Sequence, residues 1–143
     1  MLTGVSGFRW RKLLAWSAQF NRYEHRSNIM AFSEIEIQRI KKIVGGFCTQ
    51  KTRPDLKDKL RYDYILEKQS VFIREIRPMW NNPDEFTKLP FVKMTWVKSQ
   101  KVWKLYWQRA NGKWVQYEEF PQSRDLDEII QAIDDDVYHC FFG

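Results

Sequence analysis

Two alternating runs meet at one turn. Trp103-Lys104-Leu105-Tyr106-Trp107 and Trp114-Val115-Gln116-Tyr117 flank Asn111-Gly112, and a period of two on both sides of Asn-Gly is a strong short-range hairpin signal. The length of the loop decides what each side chain faces. A two-residue loop pairs Ala110 with Lys113, which sets Trp107 beside Gln116 and Leu105 beside Glu118. A three-residue loop, Ala110-Asn111-Gly112 with Gly112 left-handed, pairs Arg109 with Lys113 instead. Trp107 then faces Val115, Leu105 faces Tyr117, and Trp103, Leu105, Trp107, Val115 and Tyr117 share one face. A slip of one residue flips every side chain, so burial selects the register that groups the apolar set. The three-residue loop is expected, with Lys104, Tyr106, Trp114 and Gln116 left on the other face.

The same period recurs upstream. Leu60, Tyr62, Tyr64 and Leu66 alternate with Arg61, Asp63 and Glu67, which predicts a half-buried strand. Residues 71–77 predict a second strand stopped by Pro78, and 79–89 a loop marked by Asn81-Asn82-Pro83-Asp84. Further strands are expected at 91–97, 102–108 and 113–118, with Pro121-Gln122-Ser123 breaking the sheet. Helical spacing brackets these strands. Ile40, Ile43, Val44 and Phe47 mark a helix over 34–48, which Ser33 and Glu36 start as a capping box. Phe32 and Ile37 are placed to staple its first turn, and Gly45-Gly46 weakens its last. Leu126, Ile129, Ile130 and Ile133 mark a second helix, capped by Ser123 or Asp125. Short connections imply antiparallel neighbours. The expected fold is α+β in two layers: an N-terminal helix, an antiparallel meander of about five strands, and a C-terminal helix.

At 143 residues, 43% hydrophobic and 16% aromatic, the chain suits one folded domain rather than a disordered segment. Cys48 and Cys140 make no disulfide framework, which points to a reduced, cytoplasmic setting. No apolar run approaches the roughly 20 residues of a membrane span, so no membrane partner is expected. Residues 1–29 differ from the rest, carrying five Lys/Arg against one Glu. They read as an upstream extension, poorly ordered or weakly helical, to a domain spanning 30–143. The net charge of +6 is uneven. Residues 51–113 hold fifteen Lys/Arg against seven Asp/Glu, whereas 114–143 hold one basic residue against eight acids. Such asymmetry marks either an anion-binding face or two elements that attract one another.

Few residues carry chemistry. Glu75 lies mid-strand between Arg74 and Arg77, an unusual place for a carboxylate. With Arg77 and Arg53 it would make an acid–base or phosphate site. The plainer reading is an ion pair across strands with Arg61 or Lys93. On the hairpin's other face, Lys104, Tyr106 and Trp114, with Lys93 on the neighbouring strand, would stack on nucleic-acid bases or simply stabilise the sheet as cross-strand pairs. No metal or cofactor is expected. His139 and Cys140 are adjacent ligands without a cluster, Asp134-Asp135-Asp136 reads as a solvated helix end, and Gly45-Gly46 lacks the lysine and spacing of a phosphate loop. Cys48 reads as a core thiol.

Glu75-Ile76-Arg77-Pro78, Trp103-Lys104-Leu105-Tyr106-Trp107, Trp114-Val115-Gln116-Tyr117 and the ending His139-Cys140-Phe141-Phe142-Gly143 together resemble the bacterial family of unknown function DUF3024, from about Met30 onward. The resemblance implies no activity and carries over no catalytic residue. The leading functional reading is a non-catalytic module that binds nucleic acid or another anionic macromolecule through Arg53, Arg77, Lys104, Tyr106 and Trp114. Two others stay open: a small nucleic-acid hydrolase centred on Glu75 and Arg77, and a homodimeric protein-interaction domain.

Overall fold

Among the described residues, helical structure begins where the sequence supplies a cap. The computed structural model describes residues 32–142, so the extension over 1–29 lies outside the described residues. The Ser33 side chain accepts from the Glu36 amide at 3.2 Å, and the Glu36 carboxylate accepts from the Ser33 amide at 2.7 Å. The capping box thus satisfies two otherwise orphaned N–H groups. Phe32, just before the cap, lies flat against Trp103 with ring centroids 5.9 Å apart. Helix α1 spans Glu34–Ile40, a π-helical turn spans Lys41–Gly45, and helix α2 spans Gly46–Lys51. The glycine pair therefore does not end the helix. Both glycines keep right-handed helical angles, and the wider turn inserts a residue without breaking the axis. Gly45 stands in a tight place: a Cβ there would meet the Tyr64 ring at 3.2 Å.

Six strands follow: β1 Arg61–Glu67, β2 Ser70–Met79, β3 Asn82–Val97, β4 Val102–Gln108, β5 Trp114–Gln116 and β6 Gln122–Ser123. They form one antiparallel sheet in the order β1-β2-β3-β4-β5, with β6 beside β4 next to β5. Helix α3, Leu126–Asp135, closes the chain's regular structure. Asp125 caps it by accepting from the Asp127 amide at 3.0 Å, and Ser123 supports the cap by accepting from the Asp125 amide at 3.0 Å. The architecture is α+β, helices on one face of an antiparallel meander.

Three expectations need correction. Pro78 does not stop the second strand. It lies past the last β1–β2 pair, Arg61↔Ile76, where one side of β2 has no partner and a missing N–H breaks no ladder bond. Residues 79–89 are not a loop. Met79 pairs with Asn82 across Trp80-Asn81, and β3 runs sixteen residues from there. Pro90 fits because the register shifts beside it: Ile73 pairs with Val92, Arg74 with Pro90, and Phe91 is the extra residue of a bulge. Nor do Pro121-Gln122-Ser123 end the sheet, since Gln122 and Ser123 pair with Lys104 and Trp103.

The opening hairpin takes the three-residue loop. Trp107 pairs with Val115, Arg109 N–H donates to Lys113 C=O at 2.9 Å, and Gly112 has φ +84°. The core forms between helices and sheet from Ile40, Val44, Val71, Ile73, Val92, Met94, Leu105, Ile129 and Ile133, all at most 1% exposed. Trp103 and Tyr117 join it. Trp107, expected among them, is half-buried at the margin, with the Arg109 guanidinium 5.9 Å from its ring.

Candidate functional site

Alternation along β2 turns Val71 and Ile73 toward the helices, and Phe72 and Arg74 to the opposite face. Register then carries one row across the sheet. Phe72 pairs with Lys93, Lys93 with Tyr106, and Tyr106 with Gln116. The Lys93 ammonium lies 5.4 Å from the Tyr106 ring and 5.9 Å from the Phe72 ring. Trp114 meets Phe72 edge-on at 5.7 Å and 66°. Lys104 is two residues before Tyr106 on the same strand, between Thr95 and Gln122, so alternation gives it this face too. Three of the sequence-derived binding residues, Lys104, Tyr106 and Trp114, thus stand together, with Lys93 among them.

Their burial separates floor from surface. Phe72 is 8% exposed, so it is a floor on which Lys93 and Trp114 rest. Lys93, Lys104, Tyr106 and Trp114 are all half-buried. A lysine held over aromatic rings keeps its charge at the surface while its stem covers apolar carbon. Arg74, beside Phe72, makes a two-pronged ion pair with Asp63 at 2.8 and 2.7 Å. That pair consumes its fork and makes it a structural cation rather than a free one. The sequence reading missed Phe72 as part of this surface. The signal was present, because a period of two starting from Val71 and Ile73 leaves Phe72 alone outside.

Arg53, Glu75 and Arg77 do not join this face. Arg53 pairs with Asp55 in the exposed segment after α2, at 3.3 and 2.8 Å. Glu75 pairs with Arg77, its neighbour two residues along β2, which alternation places on the helix side of the sheet. The expectation of an ion pair for Glu75 holds, but its partner is neither Arg61 nor Lys93. Those two sit opposite Ile76 and Phe72, on the other face. Glu75 stands across from Tyr62. Burial, and after it the Glu75 carboxylate, push the Tyr62 phenol above its ordinary range, while Arg77 pulls it back.

Around Tyr62 an aromatic cluster closes one end of the core. Phe142 meets Tyr62 at 5.7 Å and 89°, and Phe91 at 5.5 Å. Lys51 lies 4.8 Å above the Phe142 ring and pairs with Asp134 at 2.6 Å. The acidic run is a solvated helix end at Asp134 and Asp135, which are exposed, but not at Asp136. Asp136 is 6% exposed, ends α3 in the left-handed conformation with φ 42°, and accepts from the Phe141 and Phe142 amides at 3.0 and 2.8 Å. Cys48 is buried as expected, and desolvation, with the Asp63 charge second, pushes its thiol up to about 12. Among the described residues no group of three His, Cys, Asp or Glu converges as metal ligands would. Among them, too, no helix is long and apolar enough to cross a membrane.

A model of a domain of unknown function, DUF3024, matches residues 32–143. No curated protein and no solved structure matches the chain. The family match spans well over half of the sequence, and the chain belongs to the DUF3024 family.

Proposed function

We propose that this DUF3024 domain is a non-catalytic module that binds single-stranded nucleic acid on the sheet face turned away from the helices, in the reduced setting that its two free cysteines suit. The observation that carries the reading is the row Phe72, Lys93, Tyr106 with Trp114 and Lys104 beside it. Half-buried rings offer π-faces to bases without sequence preference, and adjacent ammonium groups meet the phosphates. The floor of Phe72 holds both in place before any ligand arrives, which lowers the ordering cost of binding. The acidic helix α3 stands in the opposite layer, so like-charge repulsion does not oppose a polyanion on this face.

The test is a titration of short labelled DNA and RNA strands with the full chain at two salt concentrations. Affinity is expected to fall steeply with salt. Trp114→Ala should weaken binding by about 1–3 kcal/mol, the worth of one stacked base. Lys93→Ala and Lys104→Ala should each lower the salt slope by about 0.7, one phosphate contact on a single strand. Flat titrations at low salt would end the proposal. The rival hydrolase reading centred on Glu75 has less support, since that carboxylate is held by Arg77 on the opposite side of the sheet.

A further inference from the structure

Two features lie apart from the basic face. The first is an arm. Past the pairs Arg61↔Ile76 and Val92↔Trp107, β2 and β3 continue together with neither β1 nor β4 paired beside them. The arm ends at Trp80, which is 94% exposed. Its register slips between Pro78 and Met79, so Pro83, Asp84 and Glu85 stand out of the ladder beside the tip. The tip is therefore one bare indole flanked by two carboxylates. The second feature is a groove of about 600 Å³ between the π-helical turn and edge strand β1. Lys41 and Lys42 line it on the helix side and Tyr62 and Tyr64 on the β1 side, and Asp63, already paired with Arg74, lines it as well. Among the described residues no ion pair engages Lys41, Lys42, Asp84 or Glu85.

We infer that the arm of one copy docks in the groove of a second, and that two copies exchange arms about a two-fold axis. The chemistry matches: an indole for a tyrosine-lined groove, and two acids for two lysines, the groove's own carboxylate being already held by Arg74. A large aromatic group at the centre with charges around it is how interface anchors are built. Position favours reciprocal exchange. The groove wall begins at Tyr62, and the arm leaves the sheet at Arg77, one residue beyond the pair Arg61↔Ile76. Donor and acceptor thus lie at the same end of the molecule, with about 10 Å of extended chain from Arg77 to Trp80. A two-fold axis makes the two contacts equivalent and closes the assembly at two.

Charge reversal tests this in the full chain, with sedimentation velocity over a range of concentrations and circular dichroism as the folding check. The wild-type chain should sediment as a dimer. Trp80→Ala should raise its dissociation constant by about tenfold or more. Lys41→Glu with Lys42→Glu should give a folded monomer, and so should Asp84→Lys with Glu85→Lys. Mixed in equal amounts, these two variants should recover the dimer, because each arm then meets a groove of opposite charge in both directions. A wild-type chain that stays monomeric at every concentration overturns the inference. So do reversals that leave a dimer intact, or two folded monomeric variants that fail to pair when mixed.

Discussion

Cys48 is 3% exposed on α2, and its thiol is pushed up to about 12 from an ordinary 9.0, by desolvation first and the Asp63 charge second. An acid whose folded value is raised keeps its proton in the native state after the unfolded chain has lost it. Its contribution to stability is therefore whole below pH 9 and is lost as pH climbs from about 9 to about 12. One proton corresponds to a slope of roughly 1.4 kcal/mol per pH unit across that window. Tyr62, Tyr117 and Cys140 are raised as well and act in the same direction. The expected outcome is that Cys48→Ala flattens the alkaline decline by about one proton without abolishing it. Urea unfolding of both proteins at successive pH values measures this. Parallel declines in the two would show that Cys48 ionises as easily in the native chain as in the unfolded one.

The helical stretch from Glu34 to Lys51 shows how an element tolerates what its sequence seems to forbid. Gly45 and Gly46 are both helical, yet their surroundings differ. A Cβ on Gly46 would meet nothing within 4 Å, whereas one on Gly45 would press the Tyr64 ring at 3.2 Å. Gly46→Ala should therefore stabilise the domain by roughly 0.5–1 kcal/mol, by removing freedom from the unfolded chain. Gly45→Ala should gain less or lose, because Tyr64 must shift. Thermal or urea midpoints of the two variants decide it, and an equal gain from both would mean that the ring yields at no cost. What the sequence disclosed about elements follows the same physics. The hairpin register was legible because only one pairing collects Trp103, Leu105, Val115 and Tyr117 on one side. The arm was not, because Pro78, Pro83 and Pro90 are strand breakers in a paired interior. They are harmless only beyond a neighbour's end or beside a bulge, which depends on partners that no local pattern names. The face holding Lys104, Tyr106 and Trp114 was legible from that register. That Glu75 faces Tyr62 rather than Arg61 was not, since it needed the phase of β1 against β2.

At the scale of the whole molecule the two layers are tied at one end by the chain's own tail. Asp136 turns the chain out of α3 and holds the Phe141 and Phe142 amides with both carboxylate oxygens. Phe141 then reaches Tyr117, 4.9 Å away. Phe142 reaches Tyr62 on β1, Phe91 on β3 and Phe47 on α2. One buried carboxylate thus sets an aromatic plug that touches both the helices and the sheet. Asp136→Ala leaves two amides without their acceptor and should cost about 2–3 kcal/mol. Asp136→Asn tolerates the left-handed conformation and retains one carbonyl acceptor, so it should lose roughly half as much. Because the plug spans the layers, the loss should shift the global urea midpoint as seen by both helix signal and tryptophan fluorescence. Hydrogen exchange at Phe141 and Phe142 tells a global effect from a local one. If those amides exchange freely in Asp136→Ala while the midpoint stays at the wild-type value, the tail is a passive flap and the core closes without it.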